Sequence, residues 1–109
     1  MTLPESLRAH LPFDEGWLEA WCRRWQVTEL AFFGSVLRDD FGPDSDVDVL
    51  IRFSDSSQWS LLDQIAMEEE LAAFFGRKVD LVSRRAVEGS HNPIRQRHIL
   101  DSAQVVYAA

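Results

Sequence analysis

The sequence is poor in cysteine and in positive charge. One cysteine in 109 residues allows neither an internal disulfide nor a thiolate metal cluster, and it fits a reducing compartment. We therefore expect a cytoplasmic protein. The chain has 11 Lys and Arg against 18 Asp and Glu, a formal net charge of −7. That balance argues against direct binding of a nucleic-acid backbone, which needs clustered positive charge.

Long apolar runs are also missing. No run approaches the roughly 18 to 20 residues of a membrane helix, and the first residues lack a basic segment followed by an apolar stretch. We therefore expect neither a membrane segment nor a signal peptide. Hydrophobic residues make up 46% of the chain, enough for a folded core. No repeat or linker divides the sequence, so we predict a single domain over residues 1–109.

Helical and strand patterns alternate along the chain. Helices are predicted at 14–25, 60–75 and 92–103, and strands at 30–33, 46–53, 78–82 and 105–107. A short helix is expected after the turn at Gly34-Ser35. This order predicts an α/β (α+β) domain with a small mixed sheet flanked by helices.

Acidic residues are concentrated in one short stretch. Five carboxylates fall between positions 39 and 48, and Asp46 and Asp48 stand two apart on a predicted strand. Their side chains should leave the same face about 7 Å apart. A third acid, Asp80, interrupts an otherwise apolar strand, where an ionised group is costly unless it is paired or bound to a cation. An oxygen-only site suits two Mg²⁺ or Mn²⁺ ions, which together can hold a triphosphate.

Two other interpretations compete with a catalytic metal site. Asp46 and Asp48 can lie on a solvated sheet face, with Asp80 paired to Arg77 or Lys78. A calcium loop starting at Asp44 is the second rival. Its geometry fails, because Val49 stands where the sharp turn needs glycine and Asp55 stands at the terminal ligand position in place of glutamate.

The pair Gly34-Ser35 favours phosphate binding. It closes a buried strand and opens a helix, where exposed backbone N–H groups attract anions. Glycine there would let the backbone approach a phosphate, and Ser35 would add a hydroxyl donor.

The segment FFGSVLRDDFGPDSDVDVLIRF resembles the signature of the DNA polymerase β-like nucleotidyltransferases, a Gly-Ser pair followed by a spacer and Ser-Asp-x-Asp. The short chain, the segment RKVDLVS and the tail NPIRQRHILDSAQVVY are similar to the minimal nucleotidyltransferases, a prokaryotic group usually paired with HEPN-domain proteins. The resemblance runs from about position 30 to position 107. It implies the palm-like fold of this superfamily.

The resemblance also implies roles for individual residues. The catalytic and metal-binding residues would be Asp46, Asp48 and Asp80, with Asp80 near the attacking hydroxyl. The nucleotide-binding residues would be Gly34, Ser35, Arg38 and Ser45. Many family members continue after the arginine with glycine, whereas this chain has Asp39, which adds negative charge at the triphosphate entrance.

The activity implied is Mg²⁺-dependent transfer of AMP from ATP to a hydroxyl, a tyrosine by resemblance, on a partner HEPN toxin. The resemblance also implies that the protein is the antitoxin in a hetero-oligomer with that toxin. We expect the acceptor on another protein, because the chain has no appended domain to form an acceptor pocket. Two alternatives stay open. The protein can neutralise the toxin by binding alone, or it can transfer nucleotides to a small molecule.

Several residues have both a structural and a functional interpretation. Trp17, Trp21 and Trp25 repeat every four residues and are expected in the core, with Trp17 or Trp59 as a possible interface anchor. His91 and His98 have no second ligand at metal-binding spacing, so we expect both on the surface. A basic segment near the C-terminus fits either a solvated face or a site for phosphate or an acidic partner, and its members are Arg84, Arg85, Arg95 and Arg97.

Overall fold

The computed structural model describes residues 5–11, 14–38 and 41–109. The helices of these segments are α1 (Glu5–His10), α2 (Glu15–Arg24), α3 (Leu61–Phe75), α4 (Arg84–Glu88) and α5 (Pro93–Ser102). The strands are β1 (Val27–Phe33), β2 (Val47–Phe53), β3 (Val79–Ser83) and β4 (Gln104–Ala108), and a 3₁₀ turn, Gly34–Leu37, follows β1. None of the described helices combines the length and hydropathy that crossing a membrane requires.

Capping residues explain where the longer helices begin and end. The side chain of Asp14 accepts a hydrogen bond from the backbone of the first turn of α2. Ser60 and Asp63 form a reciprocal capping box at the start of α3, and Gly76 ends that helix with φ 68°. Asn92 caps α5, with Pro93 in its first turn. All three predicted helices are present within one residue of their expected ends.

The structure adds two short helices that the sequence pattern did not predict. α1 has six residues and α4 has five, too few to show a helical repeat of apolar residues. β1 also begins three residues before its predicted start, because Thr28 and Glu29 extend the strand beyond its apolar part. Asp46 was placed inside the second strand but lies just before β2.

The four strands form one mixed sheet in the order β3-β2-β1-β4. β1 runs antiparallel to β2 and to β4, whereas β2 and β3 are parallel. The parallel pair is connected through α3, as such a crossover requires. The predicted α/β architecture with a small mixed sheet is confirmed.

Hydrophobic residues cover both faces of the sheet. One face packs against α2 and α3 and contains the larger cluster, which includes Leu18, Trp21, Cys22, Phe32, Val49, Ile51, Met67, Leu71 and Phe75. The opposite face packs against α4 and α5 through a smaller cluster of Ala31, Phe33, Leu50, Val87 and Ile99. Alternation along β2 places Asp48 on this second face together with Leu50.

The tryptophans belong to the core. Trp21 is buried, and the half-buried Trp17 stacks on Phe74 with ring centroids 4.0 Å apart. The indole of Trp59 donates a 2.9 Å hydrogen bond to the backbone oxygen of Trp25 and packs edge-on against its ring. These contacts favour core packing over an exposed interface anchor.

Candidate functional site

The sheet register brings the predicted residues to one place. Asp48 lies opposite Phe33 of β1 on one side and opposite Asp80 of β3 on the other. Gly34 directly follows Phe33, and Asp46 directly precedes β2. Neighbouring strands are about 4.8 Å apart, so the turn after β1 and the carboxylates of β2 and β3 form a short row across three adjacent strands. No single segment contains this row, because β3 follows β2 by more than 25 residues.

Gly34 is required at its position for a reason the sequence did not reveal. Its φ is +77°, in the left-handed region that residues with a side chain avoid. A Cβ atom there would also overlap Oδ2 of Asp48. We expected glycine to let the backbone approach a phosphate, but in the structure it is the Asp48 carboxylate that lies against this glycine. The turn therefore fixes one of the predicted catalytic side chains.

The turn after Gly34 is held from two directions. The backbone N–H of Arg38 donates a 2.9 Å hydrogen bond to Ser35 O, which closes the 3₁₀ turn. Nδ1 of His10 donates to Val36 O at 2.9 Å, so α1 supports the same turn. Ser35 is half-buried and Arg38 is exposed at the edge of the site.

The electrostatics of the site centre on Asp48. Burial raises the pKa of its carboxyl group, and the negative charges of Asp80 and Asp46 raise it further. The positive charges of Arg38 and Arg95 act in the opposite direction but do not cancel these effects. Asp80 and Asp46 are thus each close enough to Asp48 for their charges to repel its carboxylate, a situation that a bound cation would relieve.

The loop before β2 is clamped by Arg77. Its guanidinium donates hydrogen bonds to the carbonyl oxygens of Gly42 and Ser45 and lies over the ring of Phe41, 4.3 Å from the centroid. The hydroxyl of Ser45 accepts a 3.0 Å hydrogen bond from Gly42 N. Both residues therefore position Asp46, and the prediction that Ser45 binds nucleotide stays a prediction.

The donor set fits a hard divalent cation in its chemistry. It consists of carboxylate oxygens, with accumulated negative charge and with Asp48 partly buried. Within the segments that the structure describes, however, no three His, Cys, Asp or Glu side chains are arranged to hold a metal ion unaided. Mg²⁺ is usually bound by one or two carboxylates together with substrate phosphates and water. The assignment of metal ligands therefore stays a prediction, in which substrate phosphates and water would complete the coordination by Asp46, Asp48 and Asp80.

The ion pair between Asp80 and Arg77 or Lys78, which the sequence left open as an alternative, does not form. Arg77 contacts the loop carbonyls instead, and no ion pair joins Asp80 to Arg77 or Lys78, all three being described residues. Asp80 is nevertheless exposed, so our argument that it is a costly charge in an apolar strand was wrong. β3 is an edge strand, and its residue 80 faces solvent beside Asp48.

Two site residues were not identified from the sequence. Arg77 was considered only as a partner of Asp80, and Arg95 only as part of a basic segment. Within that segment, Arg84 pairs with Glu29, whereas the charge of Arg95 acts on Asp48. His91 and His98 are exposed, as predicted. Asp39, whose charge we placed at the triphosphate entrance, lies outside the described residues.

The nucleotidyltransferase domain model matches residues 15–106 of this chain. The chain is similar to the protein adenylyltransferase MntA of Thermococcus cleftensis, with 42% identity over 65 residues that cover 60% of this chain and 64% of the relative. The matched family segment contains the whole row of carboxylates and the glycine turn.

Solved structures with the same fold include the following two. A candidate minimal nucleotidyltransferase superposes with a TM-score of 0.64 and 31% identity, covering 92% of each chain. A complex of a tri-AMPylated Shewanella oneidensis HEPN toxin with its MNT antitoxin gives a TM-score of 0.59 at 16% identity, covering 87% of this chain and 70% of the matched one. The second likeness concerns the fold alone. With a family match over most of its length, and with the glycine turn and carboxylates in adjacent strands, this chain belongs to the nucleotidyltransferase domain family.

Proposed function

We propose that this protein is a Mg²⁺-dependent adenylyltransferase that transfers AMP from ATP to a hydroxyl of a HEPN-domain toxin and so acts as its antitoxin. One observation carries the proposal: Asp48 stands between the glycine turn after β1 and Asp80 of β3 in the sheet register. Support for the reaction comes from the relative described as a protein adenylyltransferase, and support for the partner from the AMPylated HEPN complex with the same fold.

The chemistry follows from the positions of these residues. Asp46 and Asp48 would hold Mg²⁺, with Mn²⁺ as a substitute, and the cation would supply charge neutralisation for the phosphates when bound. Ser35 lies in the 3₁₀ turn that Gly34 begins, Arg38 directly follows that turn, and both would orient the triphosphate. Phosphoryl transfer depends mainly on such positioning and charge stabilisation.

Asp80 would act on the acceptor. The acceptor oxygen bonds to the α-phosphorus, and its proton passes to the Asp80 carboxylate. The bond from the α-phosphorus to the bridging oxygen breaks, and pyrophosphate leaves. Asp80 suits this role because it is exposed at the sheet edge next to Asp48, where a hydroxyl from another protein can reach it.

The test is transfer of label from ATP radiolabelled at the α-phosphorus to a HEPN-domain toxin as the candidate partner. With Mg²⁺ present, the parent protein should label the partner, and Asp46→Asn or Asp48→Asn should reduce labelling by at least a hundredfold. Asp44→Asn is the matched control, because Asp44 is an exposed acid of the same loop outside the row. It should retain near-parental activity.

The same assay separates the alternatives. If no label transfers while the parent and both variants neutralise the toxin equally, the protein acts by binding alone and the enzymatic proposal is wrong. Transfer to a small molecule without any protein partner would contradict the proposed acceptor.

A further inference from the structure

Helix α5 crosses the face of the sheet that carries the carboxylates. Ile99, in the middle of the helix, packs in one cluster with Leu50 of β2. One turn earlier, Arg95 borders a small cavity together with Val82 of β3. At its other end the helix leads into β4, the opposite edge of the sheet. α5 therefore runs across the strands rather than along them.

This path places Arg95 beside the acidic row. Leu50 and Val82 face each other in the β2–β3 register, and each lies two residues after a carboxylate of the row on the same sheet face. Two residues along a strand correspond to about 7 Å, a distance that the long stem of an arginine can span. The positive charge of Arg95 accordingly lies within electrostatic range of the Asp48 carboxylate.

A cavity of about 340 Å³ separates α5 from the glycine turn. Its lining combines both elements with the first residue of β4 and consists of Gly34, Leu37, Arg38, His98, Ser102 and Gln104. No carboxylate is among these residues, although the acidic row begins on the other side of Gly34. Among the described residues no hydrogen-bond partner of the His98 ring is found, and the side chain is exposed.

The charges on the two sides of Gly34 are complementary to a metal-bound polyphosphate. Carboxylates on one side attract cations, while Arg38 and His98 on the other side offer donors to an anion. The negative charge of a triphosphate and the carboxylates together exceeds what two divalent cations neutralise. Further positive charge from the protein is therefore needed, and α5 is the element placed to supply it.

Building on the proposed function, we propose that α5 forms the second wall of the nucleotide cleft and that Arg95 and His98 are phosphate-binding residues. Arg95 offers a planar fork of donors matched to phosphate oxygens. His98 offers an imidazole N–H one turn later on the same helix.

The experiment measures the affinity of a non-hydrolysable ATP analogue with Mg²⁺ by calorimetry, alongside the transfer assay. Arg95→Ala should weaken binding by about tenfold or more, the scale of a lost charge-assisted hydrogen bond, and His98→Ala by about threefold to fivefold. Arg95→Lys should fall between Arg95→Ala and the parent because it keeps the charge but loses the fork.

Matched controls come from the same region of the chain. Arg97 lines the outer groove of α5 with Ile94 and Asp101 but not the cavity beside the glycine turn, whereas His98 borders both, and His91 is exposed before the helix. Arg97→Ala and His91→Ala should leave affinity within twofold of the parent. Equal affinity of Arg95→Ala and Arg97→Ala would overturn the inference even if the parent transfers AMP. Weakened binding in Arg95→Ala, with a parent that transfers no AMP, would support the inference and refute the proposed function.

Discussion

Replacing Gly34 by alanine tests the central geometric claim about the site. Alanine at φ +77° must adopt the left-handed backbone conformation, which lowers the free energy of unfolding by about 1–2 kcal/mol. The added methyl group also overlaps Oδ2 of Asp48, so this carboxylate must leave its preferred rotamer for about 0.5–1.5 kcal/mol more. We therefore expect a total loss of about 1.5–3.5 kcal/mol in the free energy of unfolding.

Gly76 provides a matched control. Its φ is +68°, close to that of Gly34, but a Cβ there meets no atom within 4 Å. Gly76→Ala should show the backbone cost alone, about 1–2 kcal/mol. Urea denaturation with equal m-values for both variants measures the two free energies directly. The difference between the variants then reports the contact with Asp48.

A double-mutant cycle completes the test. In an Asp48→Ala background the overlap with Oδ2 disappears, so Gly34→Ala should cost about as much there as Gly76→Ala does. Equal costs of Gly34→Ala in the two backgrounds would refute the claim that this glycine accommodates the carboxylate. Nucleotide affinity should follow the same pattern, with Gly34→Ala more damaging than Gly76→Ala.

Three further predictions concern titratable groups. Burial alone would raise the pKa of Glu70, but hydrogen bonds from Trp25, Trp21 and Arg24 outweigh it and lower the pKa. The stability this provides is present above the ordinary glutamate pKa and is lost as pH falls through the lowered value, so Glu70→Gln should flatten the acid limb of a pH titration of thermal unfolding. Ionised Asp48, unlike ionised Glu70, destabilises the fold, because burial and the charges of Asp80 and Asp46 raise its pKa. Without divalent cations, Asp48→Asn should therefore gain a few tenths to about 1 kcal/mol near neutral pH, after allowance for solvent screening, and a melting curve unchanged or lowered would contradict this. Burial, with a smaller effect of Glu19, raises the pKa of the Cys22 thiol to about 12, so a thiol-reactive reagent at pH 8 should label it only at the rate of unfolding.

Some of the site was visible in the sequence because it depends on local chemistry. The alternation in β2, the cap at Asn92 and the Gly34-Ser35 pair each act over a few residues, and each was found where it was expected. The short helix α4 has too few residues for a periodic signal, so it was missed. For the same reason, boundaries of strands with polar ends were less well predicted than the elements themselves.

Contacts between residues that are far apart in the sequence could be identified only from the tertiary structure. The sequence by itself determined an acidic α/β domain with a glycine turn and three candidate carboxylates, since residue type and short spacing fix these features. Only the fold decided that Gly34 must lack a side chain because of Asp48, and that the charge of Arg95 acts on Asp48 while Arg97 lines the outer groove of α5. These facts depend on strand register and helix packing, which arise from hydrophobic burial across the whole sheet.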